Sequence, residues 1–210
     1  MDKAREQGRV CNIPHDPSLP VHTAWDMGKD GTAIIFFQLP RGGAIHCINE
    51  YHDKDGDMPK HVRVIRDFET RFEYTYGEHI GPWEVISHDY ATGDTREKMA
   101  RDLGIRFKAA PKMSRDEGIS AVQAVFPQLL FDRTNCGYLV DALASYQRKR
   151  NKQTREWLAD PVHNWASHPA DALRYLVIGR SRKTRNVSDR WDRYTSRPKA
   201  QRLNTTWMAA

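Results

Sequence analysis

The sequence predicts an α/β fold in which helices flank a central mixed sheet of five or more strands. Three apolar runs, at residues 21–26, 32–38 and 44–52, follow one another with turn residues between them, as antiparallel strands do. A helical pattern then covers 59–76. Beyond it, strand and helix patterns alternate, which is typical of strands joined by helices.

Glycine and proline mark the boundaries of these first elements. Gly28 turns the chain between the first two strands, and Pro40-Arg41-Gly42-Gly43 supplies hairpin residues before the third. Pro59 suits the first turn of the helix that follows. Gly77 and Gly81-Pro82 are expected to end that helix before the next strand.

The second half of the chain contains the remaining predicted elements. Strands are predicted at 83–88, 105–109 and 129–131, and helices at 95–103, 116–126 and 136–149 and from Pro169 onward. Residues 151–165 are polar, basic and rich in turn formers. The chain lacks a glycine-rich phosphate loop, because Gly28-Lys29 has no glycine five residues earlier. ATP hydrolysis is therefore not expected.

Composition limits the class of protein. With 210 residues, the chain is long enough for one α/β domain with a sizeable core. Its formal net charge of +6 favours acidic partners, of which nucleic acid is the usual one. No apolar run approaches the roughly 20 residues that span a bilayer. Cys11, Cys47 and Cys136 are isolated in sequence, which indicates reduced thiols rather than a disulfide framework.

Three aspartates are the principal candidates for chemistry. Asp26 ends the first strand, Asp89 follows the predicted strand 83–88, and Asp171 lies near the start of the last helix. Carboxylates at strand ends and on a helix can meet at one edge of an open sheet. Two Mg²⁺ or Mn²⁺ ions, about 4 Å apart, are held in this way by phosphodiester-cleaving enzymes. The hypothesis is that Asp26 bridges the two ions, while Asp89 holds one and Asp171 the other.

Each of these aspartates also has a purely local explanation. Asp26 with Gly28 is compatible with an ordinary turn, and Asp89 with a simple strand end. If His168 caps the last helix, Asp171 occupies its third position, where a carboxylate interacts favourably with the helix dipole. The three together, in this order and on these elements, favour the metal site.

Other polar residues near these positions are weaker candidates. Asp30 follows the glycine turn and is either an outer oxygen ligand or a solvated turn residue. His88, His163 and His168 raise the alternative of a His/Asp metal site. Their spacing matches no known zinc motif, so transition-metal chemistry is disfavoured.

Basic residues close to the predicted cleft are candidates for contact with DNA phosphates. They lie just beyond the strand at 105–109 and in the segment before the last helix. The predicted DNA-binding residues are Lys112, Arg115, Arg148, Lys149, Arg150, Lys152 and Arg155. Arg96 and Lys98 lie on a predicted exposed helix, and a solvated charged face is the expected explanation for them.

Five sequence blocks together carry a family resemblance. They are Thr23-Ala24-Trp25-Asp26-Met27-Gly28, Ser87-His88-Asp89, Gly118-Ile119-Ser120-Ala121-Val122, Asp132-Arg133-Thr134-Asn135-Cys136 and Ser167-His168-Pro169-Ala170-Asp171-Ala172-Leu173-Arg174-Tyr175. In this order they resemble the C-terminal nuclease domain of the large terminase subunit of tailed bacteriophages. The resemblance runs from about Ala4 to Ile178, and its last block is the most specific.

The resemblance implies a ribonuclease H-like fold and an activity. We expect a lead-in segment at 1–19, a nuclease domain at 20–179 and a basic, flexible tail at 180–210. The implied activity is a two-metal endonuclease, with Mg²⁺ or Mn²⁺ as cofactor, that cuts concatemeric viral DNA during packaging with little sequence specificity. The implied partners are double-stranded DNA, the portal and the small terminase subunit, in the host cytoplasm.

Two positions depart from the family pattern, and two other functions stay open. The family has Asp where this chain has Asn164, and its acidic residue after the glycine turn comes later than Asp30. One alternative keeps the fold in a junction resolvase or transposase-type nuclease. The other is a non-catalytic module that docks on DNA or on the portal.

Overall fold

The computed structural model describes residues 1–28, 30–54, 57–87, 95–151 and 153–180. Asp89, Lys152 and residues 181–210 of the predicted tail therefore lie outside the described residues. The strands are β1 (Val10–Cys11), β2 (Val21–Met27), β3 (Thr32–Gln38), β4 (Ile45–Asp53), β5 (Tyr76–Gly81), β6 (Phe107–Ala109), β7 (Leu129–Asp132), β8 (Arg148–Arg150) and β9 (Trp157–Pro161).

Six α-helices accompany these strands in the described part of the chain. They are α1 (Asp2–Glu6), α2 (Met58–Phe72), α3 (Arg96–Asp102), α4 (Arg115–Val125), α5 (Gly137–Ser145) and α6 (Ser167–Gly179). None of these helices has the length and apolar character needed to cross a bilayer. The predicted lead-in contributes α1 and β1.

The strands β1 to β7 form a mixed sheet in the order β1-β7-β4-β3-β2-β5-β6. The antiparallel pairs β2–β3 and β3–β4 lie at its centre. β5 pairs parallel with β2, β6 with β5, β7 with β4, and β1 with β7. The predicted class, a mixed sheet of five or more strands flanked by helices, is thus confirmed.

The prediction of a strand at 83–88 is wrong. The strand beside β2 is β5, and Trp83–Ile86 form a short 3-10 helix. Gly77, expected to break the preceding helix, lies inside β5, and a Cβ there would be 2.7 Å from the His22 ring. Pro82 then ends the strand, since it has no N–H for the ladder.

The helix predicted at 136–149 is shorter than expected. α5 ends at Ser145, and the basic residues Arg148–Arg150 form β8, which pairs antiparallel with β9. The Arg150 Nε donates a hydrogen bond to the Arg155 carbonyl oxygen at 2.9 Å. Part of the segment predicted as turns at 151–165 is therefore a hairpin.

The central strands are buried between helices on both faces. On one face Ala24 packs with α5 and α6, and on the other Trp25 packs with α2. Successive side chains of a strand point to opposite faces, so Asp26 shares the α6 face with Ala24. This alternation places the carboxylate of Asp26 beneath the first turns of α6.

Candidate metal centre

Asp26 is a mostly buried carboxylate whose described polar contact is a histidine. It lies in β2 opposite Ala33 of β3, and its side chain is 15% exposed. Its Oδ2 is 2.7 Å from Nδ1 of His168 on α6. No backbone N–H donates to Asp26 among the described contacts, so its oxygens are directed at side chains and at the adjoining cleft.

The glycine turn after β2 makes room for the His168 ring. Gly28 N–H donates to the Gly31 carbonyl oxygen at 2.8 Å, which closes the turn. A Cβ on Gly28 would lie 2.6 Å from His168 Cε1, and one on Gly31 2.8 Å from His168 Cδ2. Both glycines are therefore needed for the close approach of the imidazole.

Asp171 lies one turn beyond His168 on α6. It is the fifth residue of the helix, and the first turn contains no acidic residue. The alternative in which His168 caps the helix and Asp171 occupies its third position is therefore wrong. Its Oδ1 accepts a hydrogen bond from Arg174 Nε at 3.1 Å and forms an ion pair with Arg174 Nη2 at 3.0 Å. This half-buried carboxylate is held by a mostly buried guanidinium.

Arg174 itself is held by a close contact with α4. A Cβ on Gly118 would lie 2.6 Å from the Arg174 Cδ. The guanidinium also stacks over the Tyr175 ring, with its Cζ 4.5 Å from the ring centroid. The block beginning at Gly118 thus contributes to the site indirectly, because it leaves space for the side chain that orients Asp171.

The pKa values at the centre reflect burial and like charge. Burial raises the pKa of Asp26, the charge of Asp171 raises it further, and the hydrogen bond from His168 opposes both. The hydrogen bond to Asp26 raises the pKa of His168, as do the charges of Asp26, Asp30 and Asp171. Asp26 and Asp171 are thus close enough to repel each other, and a cation between them would relieve this repulsion.

A cleft of about 350 Å³ opens beside Asp26. Its lining residues are Asp26, Met27, Pro82, Glu84, Ser87, Arg96 and Tyr175. Asp89 follows Ser87 by two residues in the sequence, but it lies outside the described residues, so the third member of the predicted triad stays a prediction. Glu84 adds a carboxylate to the cleft that the sequence argument did not include.

Arg96 also belongs to this cleft, which corrects the expectation of a solvated position. It is half-buried, and its Nη1 donates to the Met27 carbonyl oxygen at 2.5 Å. Because this bond joins the start of α3 to the end of β2, the guanidinium is fixed near Asp26. Lys98 is exposed, as expected.

The structure also brings together a His/Asp group that spacing along the chain had disfavoured. His163 Nε2 is 2.7 Å from Asp30 Oδ2, and His168 Nε2 is 3.3 Å from Asp30 Oδ1. One ligand atom from each residue lies within 4.8 Å of the other two. The hydrogen bond with His163 lowers the pKa of Asp30. The spacing of these residues along the chain did not predict the group, because they come from separate loops and a helix.

Asn164 has a structural role in the turn before α6. Its Oδ1 accepts from the Ala166 N–H at 3.0 Å, and its own N–H donates to Ser167 Oγ at 3.0 Å. The Asn164 amide therefore helps to start the helix that carries His168 and Asp171. It makes no described contact with Asp26.

The described DNA-binding candidates occupy two regions. Lys112 lies over the Trp83 ring, with its Nζ 4.5 Å from the centroid, close to the cleft wall. Arg115 pairs with Asp160 at 3.1 Å. The exposed candidates on the β8–β9 hairpin are Arg148, Lys149, Arg150 and Arg155. Lys112 thus contacts the segment that lines the cleft, whereas Arg115 contacts the β8–β9 hairpin.

Comparison with known proteins identifies the fold. No protein-family model matches the sequence, and no curated protein is a significant match. Solved structures do match. The large terminase of thermophilic bacteriophage D6E has a TM-score of 0.61 at 18% identity, over 81% of this chain and 42% of its own. The chain has the fold of the phage large-terminase nuclease domain.

Two isolated terminase nuclease domains extend this comparison. That of bacteriophage SPP1, with bound Mn, has a TM-score of 0.52 at 15% identity, over 78% of this chain and 87% of its own. That of thermophilic phage G20c, with bound magnesium, has a TM-score of 0.50 at 14% identity, over 80% and 93%. The predicted resemblance is confirmed as a shared ribonuclease H-like fold. Relative to the D6E terminase, the chain spans well under half the length.

Proposed function

We propose that the chain is a metal-dependent DNA endonuclease that cuts concatemeric viral DNA during genome packaging, with little sequence specificity. The observation that carries the proposal is the meeting of Asp26, at the end of β2, with the Asp171 region of α6. Both carboxylates are candidates from the sequence, the charge of Asp171 raises the pKa of Asp26, and Asp26 lines a cleft on a terminase-nuclease fold. Asp89 is proposed as the third ligand.

The donor set fits two hard divalent cations such as Mg²⁺ or Mn²⁺. Asp26 and Asp171 offer carboxylate oxygens, the ligands these ions prefer, and burial together with the charge of Asp171 raises the pKa of Asp26. When bound, such ions supply charge neutralisation at the scissile phosphate and activation of a water molecule. The metal-bound SPP1 and G20c nuclease domains support this choice of cofactor.

The protein side chains position this chemistry. His168 Nδ1 holds one oxygen of Asp26, which leaves the other oxygen for a cation. Arg174 binds the Oδ1 of Asp171 through two nitrogens and fixes its direction. Arg96, fixed to the end of β2, offers positive charge to a phosphate that enters the cleft. A phosphodiester bound in the cleft would thus contact side chains that are already held in position.

Contact with the DNA backbone is proposed for the basic residues that surround the cleft. Lys112 and Arg115 would contact phosphates near the cut, and the hairpin residues would contact phosphates further along the duplex. Lys152 is proposed with them. By analogy with the terminases whose fold it shares, the domain would act with the portal and the small terminase subunit in the host cytoplasm.

The test is digestion of supercoiled plasmid in Mn²⁺, in Mg²⁺ and in EDTA, with Asp171→Asn in parallel. The matched control is Asp141→Asn, since Asp141 is an exposed aspartate on α5 that pairs with Arg5 at 3.2 Å. We expect nicking and linearisation by the wild type and the control in either metal, and loss in EDTA and in Asp171→Asn.

Other outcomes of this test favour the other functions. Equal activity of Asp171→Asn and the wild type would contradict the assigned centre. Salt-sensitive DNA binding without cleavage in any divalent metal would favour a docking module. A strong preference for branched over linear duplex would favour a resolvase-type nuclease.

A further inference from the structure

We propose that Asp30, His163 and His168 form a second cation site that prefers a transition metal such as Zn²⁺ over Mg²⁺. It lies beside the proposed carboxylate centre and shares no direct ligand with it. The binding part of this inference stands by itself. Its effect on DNA cleavage rests on the proposed nuclease function.

The geometry converges on one point. Two imidazole Nε2 atoms face the two oxygens of one carboxylate, at 2.7 Å for His163 and 3.3 Å for His168. All three ligand atoms lie within 4.8 Å of one another, so small side-chain adjustments around an ion of about 2.0–2.2 Å ligand distance suffice. The Asp30 and His163 side chains are 60% and 65% exposed, which gives the ion access from solvent.

The ligand types decide which metal is favoured. Imidazole nitrogen suits Zn²⁺, Co²⁺ and related ions, whereas Mg²⁺ prefers an all-oxygen shell. Two histidines and one carboxylate, with remaining positions for water, make up a known type of protein zinc site. The carboxylate centre of Asp26 and Asp171 has the opposite preference. The two neighbouring sites would therefore select different ions.

His168 is preset as a metal ligand by its other nitrogen. When Nδ1 carries a hydrogen and donates it to Asp26, the lone pair of a neutral ring lies on Nε2, which faces Asp30. Carboxylate–histidine–metal chains of this type orient many protein metal ligands. The ring is also fixed by its close approach to Gly28 and Gly31. In the protonated ring a hydrogen on Nε2 faces Asp30, and an ion bound between Nε2 and Asp30 would replace that hydrogen.

The same hydrogen bond couples the second site to the proposed nuclease centre. An ion on Nε2 withdraws electron density from the His168 ring and strengthens the donation from Nδ1 to Asp26. The Asp26 carboxylate, with more of its charge held by His168, then becomes a poorer ligand for the catalytic ions. We therefore expect Zn²⁺ at the second site to inhibit cleavage supported by Mg²⁺.

Binding is tested first, without reference to activity. The probe is Co²⁺, whose visible absorption reports nitrogen ligands, together with calorimetric titration of Zn²⁺. The proteins are the wild type, His163→Gln, Asp30→Asn and Asp171→Asn. We expect one ion of Co²⁺ or Zn²⁺ at this site in the wild type and in Asp171→Asn, and affinity reduced by about tenfold or more in His163→Gln and Asp30→Asn.

Two binding results would overturn the proposal. Unchanged Co²⁺ spectra and Zn²⁺ affinity in His163→Gln and Asp30→Asn would show that these side chains are not ligands. Loss of the signal in Asp171→Asn alone would place the ion in the carboxylate centre instead. Because both altered ligands have exposed side chains, circular dichroism should show that the two variants remain folded.

The coupling is tested by plasmid nicking in Mg²⁺ with increasing Zn²⁺. Wild type should be inhibited at Zn²⁺ concentrations that saturate the site, and His163→Gln should require about tenfold more Zn²⁺ for the same inhibition. Equal Zn²⁺ sensitivity in both proteins would contradict the coupling. If no variant cleaves DNA in any metal, the nuclease proposal fails, while the binding result still decides the second site.

Discussion

Two strand-end aspartates of this fold, Asp26 and Asp132, have opposite surroundings. Asp132 ends β7 and is 1% exposed. It accepts three backbone hydrogen bonds, from the N–H groups of Ile13 at 2.8 Å, Thr134 at 3.1 Å and Asn135 at 2.8 Å. Asp26 is the last but one residue of β2 and has His168, the charge of Asp171 and an open cleft around it.

The difference separates a structural carboxylate from the one proposed to bind metal. Backbone donors satisfy both oxygens of Asp132, which ties the lead-in segment to the turn after β7 and leaves no oxygen for a ligand. Asp26 is in a region where burial and a like charge oppose its ionisation. Carboxylates with raised pKa values in clefts are typical of functional sites. Sequence position alone does not distinguish the two, because both follow apolar strands.

The largest expected effect is on the activity of Asp26→Asn. Loss of the carboxylate that is proposed to bridge two ions should reduce plasmid nicking in Mn²⁺ by about a hundredfold or more. The free energy of unfolding at neutral pH should not fall, because the amide removes a buried charge that Asp171 repels. Nicking rates and urea denaturation of the same preparations check both statements. A stability loss with retained nicking would reverse the assignment.

Asp132→Ala should give the opposite result. It leaves three backbone N–H groups near the buried turn without their acceptor, so the free energy of unfolding should fall by about 3 kcal/mol or more. Nicking per folded molecule should stay close to wild type at a temperature where the variant is folded. Urea denaturation measures the first effect. Full stability with lost nicking would place Asp132 in the active centre and remove the contrast.

Glu50 sharpens the comparison, because it combines burial with backbone donors. Burial raises its pKa to about 7, against hydrogen bonds from the backbone of Tyr138 and Leu139. A carboxyl group with a raised folded-state pKa stabilises the fold fully below its unfolded pKa of about 4.5, and this stabilisation is lost as pH rises through about 7.

Glu50→Gln should therefore remove a pH dependence. Between pH 4 and pH 8, the wild type should lose on the order of 2–3 kcal/mol of unfolding free energy that the variant keeps. Urea denaturation at both pH values compares the two proteins. A wild-type curve parallel to that of the variant across this range would contradict the assigned pKa.

The smallest expected effect comes from Gly118→Ala. The added methyl would lie 2.6 Å from Arg174 Cδ, so the guanidinium must move relative to Asp171. Nicking should fall by about fivefold, and stability by about 1 kcal/mol. The control is Gly137→Ala, since a Cβ there meets nothing within 4 Å. Equal nicking by the two variants would show that Arg174 does not orient the carboxylate.

The parts of the fold that depend on local signals were predicted correctly. The β2–β3–β4 meander follows from alternating apolar runs and from the glycines between them. β5 was missed because its partner β2 lies some 55 residues away in sequence and pairs with it in parallel. A strand of this kind has no local sequence signal beyond a short apolar run. The run at Trp83–Ile86 gave a stronger strand signal and was chosen instead.

The candidate site shows the same division. Asp26 and Asp171 could be proposed from the sequence because polar residues next to apolar elements are visible there, and in the structure the charge of Asp171 raises the pKa of Asp26. The roles of Arg96 and His168 were not predicted, since each depends on a partner from a distant segment. Glu84 was missed because its segment was assigned to a strand.

The most direct test of the central claim is a double-mutant cycle of plasmid nicking in Mn²⁺. The proteins are the wild type, Asp26→Asn, Asp171→Asn and the double variant. If the two carboxylates hold the same ions, each single change removes most of the activity and the double change adds little to the loss. Multiplicative losses, or a single variant with wild-type nicking, would show that Asp26 and Asp171 do not form one metal centre.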